Sequence, residues 1–224
     1  MRSNQDTTLS QSPPRDDRPS AVAVSRRGYR MFAPLYDLVF GRGLHDARKA
    51  AVEALGCEPR ERILEVCVGS GLSLGLYPRN VDIVGVDLSR EMLRRAAGRL
   101  REHSTPGRRD LVQLNAERLA FANATFDKAI VLFGVAGLPD PGRAMHELRR
   151  VCRPGARIVI ASRFRAAPSW LSLYDILASP LYRFLAYRSD LDRDAFIAAS
   201  GLKLVRACPA NLLGYSTILV RSNP

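Results

Sequence analysis

The chain reads as one α/β domain on a doubly wound, seven-stranded sheet: five parallel strands, then a C-terminal antiparallel hairpin. Three observations predict it. Short β-branched runs alternate with amphipathic helical stretches through the middle of the chain. The first such run, "ILEVCVGSGLS" (63–73), breaks into two closely spaced glycines, as a strand does when it enters a tight ligand-cradling loop. The last two strand-like runs are separated only by residues 209–214, too few for a crossover, so they must pair antiparallel.

Taken in order, residues 1–27 are polar, rich in Pro and Ser and without periodicity, and are expected to be disordered. Residues 28–224 form the domain. Its first part, 28–56, is helical in pattern, broken near Pro34 and at Gly41–Gly43, and mixes aromatic and apolar clusters with Arg and Lys. It suits a lid or a pair of membrane-facing helices, and equally helices packed on the sheet. Strands are expected at 62–66, 81–86, 111–115, 128–133 and 156–162, and helices at 89–103 and 141–152. Arg153-Pro154-Gly155 reads as the turn feeding the fifth strand. After an aromatic stretch come a helix, "DRDAFIAAS", closed by Gly201, and strands at 202–208 and 215–221.

The 224 residues suffice for one full core, and 46% of them are hydrophobic, a globular composition. The longest apolar run, 129–138, is interrupted by Gly134 and Gly137 and is too short to span a bilayer, which needs roughly 20 residues. The N-terminal stretch lacks the apolar core of a secretory signal. Cys57, Cys67, Cys152 and Cys208 show no metal-ligand spacing and read as reduced cytosolic thiols, with no metal expected. The net charge is +12, from 34 Lys+Arg against 22 Asp+Glu, and only Lys49, Lys128 and Lys203 are lysines. Such an excess favours phosphate-bearing partners, nucleic acid or an anionic membrane surface; a GC-rich genome produces the same arginine bias.

In an open α/β sheet, ligands bind beyond the C-terminal strand ends at the topological switch point. Three successive strand ends carry nucleoside-recognition chemistry. Gly69 and Gly71 let backbone approach a ligand, although Cys67 fills the first position of a dinucleotide fingerprint. Asp87 ends the second strand, where a carboxylate accepts hydrogen bonds from a ribose diol, and Leu88 and Met92 follow, Met92 suited to a purine face. Asn115-Ala116 end the third, where a polar side chain reads an adenine amino group.

The segments "ILEVCVGSG", "VGVDLSREML", "LNAERLAFANATFDKAIV" and "LRRVCRPGARIVI" resemble the class I S-adenosylmethionine-dependent methyltransferases, in that family's order and spacing. The resemblance implies a Rossmann-like methyltransferase fold with a reversed last strand and S-adenosylmethionine as cofactor. It places Glu65 on the loop or the methionine ammonium, Gly69 and Gly71 along the cofactor backbone, Asp87 on the ribose hydroxyls, and Asn115 and Ala116 at the adenine. Cys67 stands where the family commonly has glycine, and Asn115 where it commonly has Asp.

More narrowly, "YRMFAPLYDLVFG", "SLGLYP" and the C-terminal third resemble the soluble bacterial phosphatidylethanolamine N-methyltransferases. Segment 163–187 departs from that pattern and is expected to be an acceptor-site insertion. The implied reaction is methylation of a membrane-lipid amine, phosphatidylethanolamine toward phosphatidylcholine, by a cytoplasmic monomer lying on the inner face of the membrane. An ornithine-lipid amine or a quinone precursor is the alternative acceptor. Tyr29 and Tyr36 are candidates for orienting the amine, and equally for packing. His45 lies near the lid and stays a candidate, whereas His146, mid-helix, reads as a surface residue and His103 as a helix-end dipole partner. Nucleic acid is not expected as a partner: the fourth strand ends "LFGVAGLPDP", without the Asn-Pro-Pro-aromatic motif that adenine and glutamine methylases share, and no Pro-Cys nucleophile pair is present.

Overall fold

The computed structural model describes residues 44–102, 107–164, 191–210 and 216–224. The expected tail (1–27), most of the lid (28–43), Tyr29, Tyr36, His103 and nearly all of the insertion (165–187) lie outside the described residues.

Helix α1 (His45–Leu55) precedes β1 (Arg62–Val66), and β2 (Asp82–Asp87) leads into α2 (Arg90–Glu102) and β3 (Arg109–Gln113). Then come β4 (Phe126–Leu132), a short 3-10 turn (Val135–Gly137), α3 (Pro141–Val151) and β5 (Cys152–Ser162). Helix α4 (Arg193–Ala199), β6 (Lys203–Pro209) and β7 (Thr217–Ser222) complete the described elements. The sheet order is β3-β2-β1-β4-β5-β7-β6. β1 to β5 pair parallel, and β7 runs antiparallel to both its neighbours. This is the expected doubly wound, seven-stranded α/β sheet. The chain winds outward from β1 through β2 to β3, then returns to β1's other side with β4, so the switch point lies between β1 and β4.

Alternation along the central strands puts apolar side chains on both faces. Ile63, Ile83, Ile130 and Val159 pack under α1 and α2. Leu64, Val84, Val131 and Ile158 pack under α3, with Phe196 of α4 in the same cluster. Burial on both faces is why these strands read as continuous Val/Ile/Leu runs. Helix α3 starts with Asp140 accepting from the Arg143 N–H at 3.0 Å and Pro141 in its first turn, and α4 with Asp192 accepting from the Ala195 N–H at 2.7 Å.

Several expected boundaries shift by one to four residues, and two of the shifts have a clear local cause. The third strand ends at Gln113, not at residue 115, because Asn115 turns the chain: its Oδ1 accepts from the Glu117 N–H at 2.9 Å. Arg153-Pro154-Gly155 is not a turn before the fifth strand but an irregularity inside it. Cys152 pairs with Phe126 and Arg157 with Lys128, so the residues between bulge out, with Gly155 at φ +77°.

Candidate functional site

The loop after β1 is held from below by its own strand. Glu65 is 1% exposed and accepts from Ser73 Oγ at 2.5 Å and Tyr77 Oη at 2.7 Å. Burial pushes its carboxyl up to about 7, against the two hydroxyls and the Arg48 charge, which pull it down. Above, the Arg99 guanidinium donates to the Ser70 carbonyl, tying the loop to α2. Between these supports the loop passes Cys67 and Gly69 along the C-terminal end of the sheet.

Asp87 joins this loop to the next. Its Oδ2 accepts from the Gly69 N–H at 2.9 Å and its Oδ1 from the Ser89 N–H at 2.8 Å. Desolvation raises its pKa, opposed by those backbone donors. A carboxylate has about four acceptor positions, so this one keeps capacity for a further pair of donors. Ser89 in turn starts α2, its Oγ accepting from the Met92 N–H at 3.3 Å.

A cleft enclosing about 830 Å³, part of it open to solvent, lies over these strand ends. Gly69, Asp87, Leu88, Met92 and Ala116 all line it, so five expected site residues come together on one wall. Phe133, Gly134 and Leu138, from the chain after β4, complete the lining. A carboxylate beside a glycine N–H, continued by a slot of Met92, Leu88, Leu114 and Ala116, fits a ribose diol and a purine face. The residues present therefore fit the adenosine half of S-adenosylmethionine.

Two expected residues, Gly71 and Asn115, lie off the cleft, while Glu65 takes one of its two expected roles, holding the loop. Gly71 is absent from the cleft wall. A Cβ there would lie 2.8 Å from Leu74 Cδ1 and 2.9 Å from Ala96 Cβ, so it is the glycine that lets the loop lie against α2, at φ +79°. Asn115 also lies off the wall, its oxygen spent on its own turn, and its neighbours Leu114 and Ala116 face the cleft. Glu65 holds the loop and lines a smaller neighbouring cavity. His146 is exposed on α3, as expected, and His45 is exposed at the start of α1.

Cys67 adopts φ +58°, which explains why a glycine is common at this position; a side chain there costs roughly 1–2 kcal/mol. Gly134 accommodates it. A Cβ on Gly134 would lie 2.3 Å from Cys67 Cβ, so the loops after β1 and β4 meet only because one of them is glycine. Sequence reading did not single out Phe133 or Gly134. The signal available was "LFG", a glycine directly beyond a strand end.

The chain's similarity to known proteins bears on this geometry. A family described as "Methyltransferase domain" matches residues 64–160, the span from β1 to β5. The phosphatidylethanolamine N-methyltransferase of Cereibacter sphaeroides is 35% identical over 200 residues, covering 88% of this chain and 96% of that one. The chain belongs to the S-adenosylmethionine-dependent methyltransferases. A demethylmenaquinone methyltransferase of Paenarthrobacter aurescens is 28% identical over 87% of this methyltransferase and 75% of its own length. Among solved structures, the [4+2]-cyclase SpnF shares the fold at a TM-score of 0.73 and 16% identity, covering 92% of this chain and 97% of that one. Since one fold serves a protein named a cyclase and others named methyltransferases, the assignment rests on the sequence relatives and the cofactor cleft.

With S-adenosylmethionine as cofactor, the bound sulfonium supplies an activated methyl group. What the methyltransferase's own residues contribute is binding and orientation. In that complex Asp87 would hold the ribose edge and the Met92–Ala116 wall would shield the purine from water, while Cys67 and Gly134 meet at the switch-point floor.

Proposed function

We propose that this methyltransferase N-methylates the amine head group of a membrane lipid, phosphatidylethanolamine toward phosphatidylcholine, at the inner face of the cytoplasmic membrane. The observation that carries the reading is the 35% identity to a phosphatidylethanolamine N-methyltransferase along 96% of that protein's length, well beyond the cofactor-binding core. Composition supports it. The net charge of +12 suits an anionic surface, and among the described residues no helix is long and apolar enough to cross a membrane.

The amine's lone pair displaces the sulfide in line: the N–C bond forms as the S–C bond breaks, and nitrogen sheds one proton. An alkylamine resembling Lys has a pKa of about 10.4, so presenting it neutral at pH 7 costs roughly 4–5 kcal/mol. In the cleft, Leu132, Phe133, Leu138 and Pro139 present apolar surface that disfavours the ammonium form by desolvation. Tyr29 and Tyr36 are the proposed orienting groups.

The test supplies the purified enzyme with methyl-labelled S-adenosylmethionine and, separately, vesicles of phosphatidylethanolamine, of an ornithine lipid and of a demethylated quinone. Label is expected in phosphatidylethanolamine, with vesicle binding weakening as salt rises. Label confined to the quinone would support the second reading, which the demethylmenaquinone relative favours. Label confined to the ornithine lipid would move the head group, and label only in RNA or in water-soluble products would overturn the lipid reading.

A further inference from the structure

Arginines stand around the mouth of the cleft. Arg90 follows Leu88 and Ser89 after β2, Arg118 follows Ala116 after β3, and Arg143 stands in the first turn of α3, soon after Leu138 and Pro139. Each is therefore close in the chain to a residue of the cleft wall. The loop after a parallel strand lies at that strand's C-terminal end, so all three share the end of the sheet that holds the cleft. With the order β3-β2-β1-β4, Arg118 and Arg90 lie on one side of the switch point and Arg143 on the other.

All three are exposed, and among the described residues none has a side-chain hydrogen bond or ion pair. The carboxylates beside them are engaged elsewhere. Glu91 pairs with Arg94 and Arg95. Glu117 Oε1 accepts from the Asp140 N–H at 2.8 Å, and Asp140 caps α3 by accepting from the Arg143 N–H at 3.0 Å. The rim thus turns its acids to internal partners and leaves these guanidinium groups to solvent.

The lipid reading gives this rim a task, and the inference rests on that reading. Drawing acyl chains out of a bilayer costs free energy for every methylene. An amine on a lipid is therefore reached most readily where the cleft mouth lies against the head groups. We propose that Arg90, Arg118 and Arg143 form the face that docks on an anionic phospholipid bilayer, setting the cleft mouth on the head-group plane. The guanidinium fork matches lipid phosphates. Nucleic acid would meet the same charges but no stacking platform. Among the described residues the exposed large hydrophobic side chains are Leu204 and Val205, which are aliphatic and lie on β6 at the far edge of the sheet.

The test is cosedimentation of the full chain with vesicles of phosphatidylcholine, with and without phosphatidylglycerol. The rim variant combines Arg90→Gln, Arg118→Gln and Arg143→Gln. A charge-matched control combines Arg60→Gln, Arg79→Gln and Lys203→Gln. Those cations are also exposed, but they precede β1 and β2 and begin β6, at the opposite end of the sheet. Each arginine near an anionic leaflet is worth about fivefold in affinity, so the rim variant should bind anionic vesicles roughly a hundredfold more weakly. The control should stay within about threefold of wild type, because screening limits the reach of surface charge to roughly 8 Å. Calorimetry with S-adenosylhomocysteine should give wild-type affinity for both, which establishes that they fold. Should the triple variant unfold, the single variants decide the matter, each losing about fivefold. Equal losses in rim and control variants would mean that net charge alone attracts the protein, and would overturn the proposal. So would a wild type that ignores anionic vesicles or prefers single-stranded RNA to them. The two readings fail separately. Absence of methyl transfer to detergent-dispersed phosphatidylethanolamine by the wild type would count against the acceptor, whereas vesicle binding that ignores the rim would overturn the docking face alone.

Discussion

Replacing Glu65 by Gln should change how the fold responds to pH. Glu65 is buried under the cofactor loop with the hydroxyls of Ser73 and Tyr77 at 2.5 and 2.7 Å, and burial lifts it from 4.5 to about 7. The folded state therefore favours the protonated acid more than the unfolded chain does. The resulting stability is fully present below pH 4.5, where both states are protonated, and is lost as pH rises through 7. The gap between the two values corresponds to about 3 kcal/mol. The glutamine side chain keeps the shape and an acceptor oxygen but cannot ionise, and either hydroxyl can rotate to accept from its amide. The variant should thus gain about 2–3 kcal/mol on the wild type between roughly pH 5 and pH 9, whatever its offset at the acid end. Urea denaturation of both proteins across that range, without cofactor, measures the difference. Cofactor is left out so that binding to the folded state adds nothing to the measured stability. Asp87 and Glu147 also shift, but they do so in both proteins and cancel in the comparison. A difference in stability that stays constant with pH would refute the reasoning, since it would mean that Glu65 does not ionise inside the fold over this interval.

Other expectations follow from the same geometry. Asp87→Ala removes charge-assisted bonds worth about 1.5–3 kcal/mol, so calorimetry should show S-adenosylmethionine binding roughly ten- to a hundredfold weaker; unchanged affinity would remove Asp87 from the ribose. Gly71→Ala drives a Cβ into Leu74 and Ala96 at a positive φ and should cost about 2–4 kcal/mol of stability. Gly69→Ala, whose nearest neighbour would be the Cys67 carbonyl at 4.0 Å, should cost only about 1–2 kcal/mol while weakening cofactor binding. Thermal melts that rank the two glycine variants the other way would contradict the packing. Arg150 donates to Glu147, to the Leu119 and Phe121 carbonyls and to Asn123, clasping the loop that carries Ala116. Arg150→Ala should cost about 2–3 kcal/mol and raise hydrogen exchange across 115–125, and exchange at the wild-type rate would refute the clasp.

How much of this was legible beforehand depends on where each signal is encoded. The parallel strands, the closing hairpin and the strand-end positions of Gly69, Asp87, Leu88, Met92 and Ala116 follow from local pattern, because a βα unit writes its strand, loop and helix within one short window. Boundaries were less legible where a side chain, not the pattern, ends the element. Asn115 stops β3 early by bonding to its own backbone, and the bulge around Gly155 lets β5 continue through what reads as a turn. Gly71 illustrates a different limit. A glycine in a ligand loop can be there for the ligand or for a neighbouring helix, and only the three-dimensional proximity of Ala96 assigns it to the helix.

The residues that sequence reading missed share one property: each acts through a segment distant in the chain. Gly134 matters because Cys67 carries a side chain in a left-handed conformation, and the two meet only because β4 returns to lie beside β1. Tyr77 lies beyond the loop yet bonds back to Glu65 at its root. Arg48 shares the helical spacing of Ala51, Val52 and Leu55 in "HDARKAAVEAL", so the signal that it, and not Lys49, faces inward was available, but its meeting with Phe133 after β4 was not. These three long-range meetings converge on the switch-point floor, and Cys67 stands in the wall common to both cavities. The glycine loop is therefore specified twice in this protein: locally by its own strand-end residues, and at long range by β4 returning beside β1, where Gly134 leaves room for the Cys67 side chain.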